Sequence, residues 1–276
     1  MPPSRFPLLA YRVRKFIHEY PDLRYNACKR LQQCTGETIK ELVKTTLQQF
    51  EISAGQVLML VTDGAAYMHL AGRLLQQSVY PQLTHVTCIL HTLHLVADTV
   101  RKCYPQFNSR EAECIKKSQE QFQNQQVYED LQIIRDNYTV LGDAIKQFQN
   151  TSLSFVESVR LIDQLQTKLQ TLSDTIGITV KEKMETLLSK NPGLARLRNL
   201  YNNPVPEDLL TEFKEYFAHA PITSIDVERS FSLYKNIFTP RRTSFQERTV
   251  ETHLMLQMFH SFRIKMYQPN TINVHK

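Results

Sequence analysis

Between Glu37 and Phe50 the apolar residues Ile39, Leu42, Val43, Leu47 and Phe50 recur on one face at helical spacing. That spacing predicts an amphipathic helix that stops near Ser53-Ala54-Gly55. The pattern then changes. Val57 to Thr62 is an unbroken apolar run of strand length, bounded by Gly55 and by Asp63-Gly64, and predicts a buried strand. Ala65 to Gln77 returns to helical spacing through Met68, Leu70, Ala71, Leu74 and Leu75, and Tyr80-Pro81 ends it. A second strand is predicted at Thr84 to Ile89. Strand, helix, strand at this spacing is a βαβ crossover, so the two strands should pair in parallel and be covered by helices.

From His91 onward the spacing is helical only. His91 to Lys102 and Arg110 to Phe122 precede a longer stretch, Ser154 to Leu172. Its seam of Phe155, Val159, Ile162, Leu165, Leu169 and Leu172 alternates steps of four and three. The seam runs for fewer than three heptads, so core packing is the reading preferred over a coiled coil. Asn191-Pro192-Gly193 and Asn202 to Pro206 are the clearest breakers, and Pro206 with Glu207 and Asp208 suits a helix first turn. Two further helices are predicted, Ile225 to Phe238 and Thr249 to Phe259, joined by the basic link Thr239-Pro240-Arg241-Arg242. Residues beyond Met266 read as a loose tail. Before Glu37 no alternating strand pattern is read, and Asp22, after Pro21, is placed outside any strand.

Length and composition narrow the class without fixing it. A chain of 276 residues fits one large domain or two small ones. With 42% hydrophobic and 22% charged residues it belongs with globular proteins rather than disordered ones. No apolar run approaches the ~18 residues of a membrane helix. Thirty-three basic against 27 acidic residues give +6, a modest lean toward anionic partners such as nucleic acid. Five cysteines, Cys28, Cys34, Cys88, Cys103 and Cys114, are an odd number and favour a reducing compartment over a disulfide framework. Arg5, Arg12, Arg14 and Lys15, with no acid before Glu19, make a mitochondrial presequence a minor reading.

Three places could carry chemistry. Asp63 stands at the carboxyl end of the first apolar strand beside Gly64, Ala65 and Ala66, which are small enough for a ligand to approach, and in parallel sheets ligands sit at that edge. Capping of the following helix is the competing explanation. Glu228 is the second candidate carboxylate, with dipole stabilisation in a first helical turn as its alternative. Cys88-x-x-His91-x-x-His94 offers soft ligands at a strand-to-helix junction, yet no second pair completes a four-ligand zinc set. A structural or hydrogen-bonding role is therefore the preferred reading there. Phosphate loops, a Gly-x-Ser-x-Gly elbow and His-Glu-x-x-His are all absent, and the chain has only seven glycines.

Two ordered blocks resemble one family. Val57 to Asp98, VLMLVTDGAAYMHLAGRLLQQSVYPQLTHVTCILHTLHLVAD, resembles the central block of hAT-superfamily transposases, with a strand ending in Thr-Asp and a downstream Cys-x-x-His. Ser224 to Phe259, SIDVERSFSLYKNIFTPRRTSFQERTVETHLMLQMF, resembles the hAT carboxy-terminal dimerisation block. The variant Asp-Val-Glu-Arg-Ser-Phe-Ser-Leu-Tyr-Lys-Asn is similar to transposon-derived relatives of the CGG-repeat-binding protein. The resemblance covers residues 37–260. It implies an RNase H-like core in which three carboxylates hold two divalent metals for in-line attack on phosphate. Asp63 then matches the second carboxylate and Glu228 the third, with Cys88 and His91 near the DNA. Gly64 and His94 depart from residues common in the family, and the chain lacks the tryptophan and the zinc-finger module that relatives carry.

The expected fold is accordingly α/β. A partial RNase H-like core shows its strand, helix and strand, with the first three strands missing, beside a large helical insertion and C-terminal helices. The expected segments are 1–36 unmatched, 37–104 partial core, 105–220 helical insertion, 221–262 dimerisation helices and 263–276 tail. Asp63 and Glu228 alone should bind two hard cations poorly. The expected function is thus a domesticated or degenerate, non-catalytic nuclear protein, with the cytoplasm as the alternative location. It would associate with itself through Val227, Phe231, Ile237, Leu254 and Met258, for which intrachain packing competes. DNA would be met at Arg241 and Arg242, with Lys235 and Arg248 nearby, and a solvated basic loop competes there. No cofactor is expected, neither zinc at Cys88 and His91 nor a small-molecule substrate or a membrane. The alternative is a magnesium- or manganese-dependent transposase or nuclease using Asp63 and Glu228, whose first carboxylate is supplied by residues 1–36 or lies outside this chain.

Overall fold

The computed structural model describes residues 8–17, 20–30, 33–105, 125–150, 153–202 and 220–225, with residues 249 and 252. The chain divides into two compact units, Met1–Ser53 with Ile225–Lys276, and Ala54–Ser224.

In the first unit, β1 (Leu8–Ile17) and β2 (Tyr20–Arg30) pair antiparallel, with Val13 opposite Tyr25 and Arg14 opposite Arg24. This corrects the expectation that residues 1–36 carry no strands. Over 11–14 and 23–27 the sequence does alternate, Tyr11 and Val13 against Arg12 and Arg14, and Leu23, Tyr25 and Ala27 against Arg24 and Asn26. Asp22, expected outside any strand, lies within β2. The register shifts between Lys15 and Ile17, opposite Pro21 and Asp22. A proline has no amide hydrogen for the ladder, so it fits at such an irregularity. Helix α1 (Gly36–Gln49) follows, as predicted, behind a Thr35–Thr38 capping box, and buries Ile39, Leu42 and Leu47.

The second unit is mostly helical around a small parallel sheet. A 3-10 turn at Ala54–Gln56 leads into β3 (Met59–Thr62), then α2 (Ala66–Ser78), β4 (Thr84–Thr87) and α3 (Ile89–Cys103). The strands pair in parallel, Met59 opposite Thr84 and Thr62 opposite Thr87, which is the predicted βαβ crossover. One feature of that prediction is corrected. The run Val57 to Thr62 is half-buried throughout rather than buried, because among the described residues β3 is paired on one edge only.

Helices α4 (Gln125–Phe148), α5 (Phe155–Gln170), α6 (Thr175–Ser189) and α7 (Pro192–Asn202) complete this unit. The α5 seam of Phe155, Val159, Ile162, Leu165 and Leu169 is buried, with Leu172 just beyond it, and Ser154 and Glu157 form its capping box. Helix α3 packs on α4 and α6, α5 on α4 and α6, and α7 on α6 and β4. Asn191-Pro192-Gly193 breaks the chain between α6 and α7, as predicted. The predicted helices at 110–122, 225–238 and 249–259 lie outside the described residues, apart from Ile225, Thr249 and Thr252, which are helical. Among the described residues no helix is long and apolar enough to cross a membrane.

Candidate functional site at the carboxyl edge of the parallel strands

Both parallel strands end at one edge and each is followed at once by a helix. The Cys88 amide donates to the Thr62 carbonyl at 2.7 Å, so the ladder continues one residue past β4. Beyond Thr62 the chain turns through Asp63, Gly64 and Ala65 into α2. The Asp63 carboxylate is exposed, and one of its oxygens accepts from the Ala65 amide at 3.2 Å. This is an Asx-type turn rather than a helix cap. The N-cap position of α2 is Ala65, and that of α3 is Cys88, and neither has a side-chain cap. Two helices therefore start, without a side-chain cap, at the edge that holds Asp63.

Behind Asp63 stands a half-buried polar relay. The Thr62 hydroxyl donates to the Asp63 carbonyl at 2.8 Å and lies 2.8 Å from Nε2 of His85. A hydroxyl has one hydrogen to give, so His85 is the donor in the second bond, which assigns its proton to Nε2 of a neutral ring. Burial pushes the His85 pKa down to about 4, and the neighbouring His69 adds to the shift while the Asp63 carboxylate opposes it. The two imidazoles meet edge to face, with centroids 5.4 Å apart. Gly72 makes the packing possible, since a Cβ there would come within 2.6 Å of the His85 ring.

Cys88 is fully buried, and its sulfur accepts from the Ser224 amide at 3.3 Å. The Ile89 amide donates to the Ile222 carbonyl at 3.1 Å. Residues 222–224 thus lie against the strand-to-helix junction. On the far edge of β4, Asn191 repeats what a neighbouring strand would do. Its Oδ1 accepts from the Thr87 amide at 3.1 Å and its Nδ2 donates to the Thr87 carbonyl at 2.8 Å. The same oxygen accepts from the Leu194 amide at 3.3 Å and caps α7.

Of the residues singled out in the sequence, Asp63 and Cys88 meet at this edge, and His91 sits exposed on the first turn of α3 with His94 half-buried one turn on. Asp22 belongs to the other unit. Glu228, Arg241, Arg242, Lys235, Arg248, Cys114, Val227, Phe231, Ile237, Leu254 and Met258 lie outside the described residues. Among the described residues no group of three His, Cys, Asp or Glu side chains is placed to hold a metal ion. Sequence reasoning missed His69, His85 and Asn191. The first two carry no motif. Asn191 had a signal, because Asn before Pro is the cap-and-first-turn signature of a helix start as well as a breaker.

Comparison of the sequence with protein-family models gives no match, and comparison with curated proteins gives none.

Proposed function

We propose that this chain derives from a hAT-superfamily transposase, that its βαβ unit is part of an RNase H-like core, and that it acts in the nucleus without phosphoryl transfer of its own. It associates with copies of itself through residues 225–260 and contacts DNA through Arg241 and Arg242. The observation that carries this reading is the meeting of Asp63, Cys88 and residues 222–224 at one edge, directly ahead of the block that contains Glu228. Two hard divalent metals need several oxygen ligands, and among the described residues this edge offers one carboxylate. The reading includes no resident cofactor and no small-molecule or membrane partner.

The test uses the full chain. Sedimentation at micromolar concentration should give a dimer that Phe231→Asp with Leu254→Asp dissociates. Duplex DNA should be retained at low salt, released steeply as salt rises, and lost when Arg241 and Arg242 become alanine. A monomer that retains no duplex overturns the proposal.

One observation favours the enzymatic alternative, with magnesium or manganese on Asp63 and Glu228. Two antiparallel strands precede α1, where the resemblance implies strands of the core. Manganese-dependent nicking that disappears in both Asp63→Ala and Glu228→Ala would establish it. Imaging of the tagged chain decides between nucleus and cytoplasm.

A further inference from the structure

Charge is divided unevenly between the two compact units. Met1–Ser53 with Ile225–Lys276 carries 17 lysines and arginines against nine acidic residues, whereas Ala54–Ser224 carries 16 against 18. The first unit, at +8, therefore exceeds the +6 of the whole chain, and the second is slightly acidic. The lean toward anionic partners belongs to the first unit alone.

Within that unit the β1–β2 ladder sorts residues by face. Arg12 pairs with Asn26 and Arg14 with Arg24. Alternate residues of a strand share a face, so these four stand on one face of the ribbon, with Arg30 further along β2. The other face holds Tyr11, Val13, Leu23, Tyr25 and Ala27, with Lys15 and Lys29 toward its ends. A sheet with one apolar face gives that face to a core and leaves the other for water or a partner. Positions on one face are about 7 Å apart along a strand and about 5 Å apart across a ladder, so Arg12, Arg14 and Arg24 concentrate three positive charges. Like charges directly opposite each other, as at Arg14 and Arg24, disfavour strand pairing. Asp22, at the end where the register shifts, is the one acidic residue in the two strands.

We propose that this face is a docking surface for duplex DNA, with the ribbon in the major groove and Arg12, Arg14, Arg24 and Asn26 against the duplex. The major groove of B-form DNA admits a two-stranded ribbon, arginine pairs in bidentate fashion with guanine or phosphate, and asparagine pairs with adenine. Double-stranded RNA has a major groove too narrow for side chains to read. An anionic membrane calls for apolar residues among the basic ones, and here Leu8, Ala10 and Cys28 gather toward one end of the face. The surface is separate from Arg241 and Arg242 and does not depend on the descent proposed for the chain. Two surfaces of one chain on one duplex reinforce each other, so removing either releases most of the DNA.

The test titrates the full chain against a labelled DNA duplex over a range of salt. Arg14→Gln with Arg24→Gln should weaken binding at least about tenfold and lower the slope of log affinity against log salt by about 2. Lys15→Gln with Lys29→Gln removes the same charge from the opposite face and should change affinity less than about twofold at physiological salt. The Tm separates contact from folding, since relief of the Arg14–Arg24 repulsion should leave it unchanged or raised. Arg12→Gln, at a position opposite Asn26 rather than a like charge, is a second variant and should lower the salt slope by about 1. Equal losses in the two double variants, or none in either, overturn the proposal, as does a matched RNA duplex or an anionic phosphatidylserine vesicle bound as tightly as DNA. Hairpin variants that match the wild type while Arg241→Ala with Arg242→Ala loses binding would sink the hairpin surface and leave the contact at Arg241 and Arg242 standing.

Discussion

The two parallel strands are of equal length and neighbours in one sheet, yet they are supported very differently. β4 is buried at Thr84, Val86 and Thr87, with β3 on one edge and the Asn191 amide closing the end of the other. β3 is half-buried at every position and, among the described residues, has β4 alone as its ladder partner. A single side chain thus supplies at β4 the donor and acceptor that a third strand would bring. It does so because α7 starts there, with Pro192 needing no amide partner and Gly193 lying against the strand. The site edge is built on the strong strand and opens beside the weak one.

Gly193→Ala should break this arrangement most severely. A Cβ there would overlap the His85 carbonyl oxygen, which is main chain and has nowhere to move. We expect a loss of at least about 3 kcal/mol in denaturant unfolding, the upper end for overpacking. Gly142 on α4 is the control, since a Cβ there meets nothing within 4 Å. Gly142→Ala should stabilise by roughly 0.5–1 kcal/mol, the ordinary helix effect. Equal signs for the two glycines would refute the close approach of α7.

Asn191→Ala comes next. It removes three hydrogen bonds and leaves both main-chain groups of Thr87 unpaired in a buried place. About 3 kcal/mol should be lost. Hydrogen exchange should localise the change, with the Thr87 amide losing protection before the amides of β3 that face β4.

The relay behind Asp63 makes the β4 side sensitive to acid. His85 in the folded protein resists protonation until about pH 4, whereas in the unfolded chain it takes a proton near its ordinary 6.5. Between those values the unfolded state binds more protons, so stability falls as the pH falls from 6.5 to about 4 and is fully present above 6.5. The loss is on the order of 3 kcal/mol. His85→Gln should flatten that limb of the pH–stability curve, and an unchanged slope would show that the ring is not held neutral by its surroundings.

These contrasts explain what the sequence could and could not disclose. The βαβ unit was legible because apolar runs and helical periodicity are local, and the α5 seam was legible for the same reason. The burial of β3 was misread because an apolar run does not say how many neighbours the strand will have. The hairpin at 8–30 was missed because its alternation is interrupted by the Pro21 irregularity and by Lys15 on an otherwise apolar register. At the site, Asp63 and Cys88 were found from their positions at strand ends. His85 and Asn191 were not, since the Asn191–Thr87 pair is 104 residues apart in sequence and no local pattern encodes it.

A smaller effect should grade the two strands directly. Val86 is fully buried on β4 and Val61 half-buried on β3. Val86→Thr inserts a hydroxyl into the interior and should cost about 2 kcal/mol, against less than about 1 kcal/mol for Val61→Thr. If the two costs were equal, the weak strand would be as well enclosed as the strong one.

The smallest stability change belongs to Asp63→Asn, and that is what makes it the most useful. The asparagine oxygen can still accept from the Ala65 amide, and the side chain is exposed, so unfolding should shift by less than about 0.5 kcal/mol. The charge, by contrast, is gone. If duplex DNA lies over this edge, loss of a carboxylate facing phosphate should raise affinity at low salt, and the gain should fade as salt screens it. A metal-dependent nuclease would instead lose nicking, since the carboxylate would be a ligand. An unaltered affinity and no nicking in either protein would place DNA elsewhere on the chain and leave Asp63 as a turn residue. The conservative exchange therefore separates the two functional readings at the one described carboxylate where they disagree, without disturbing the strand that carries it.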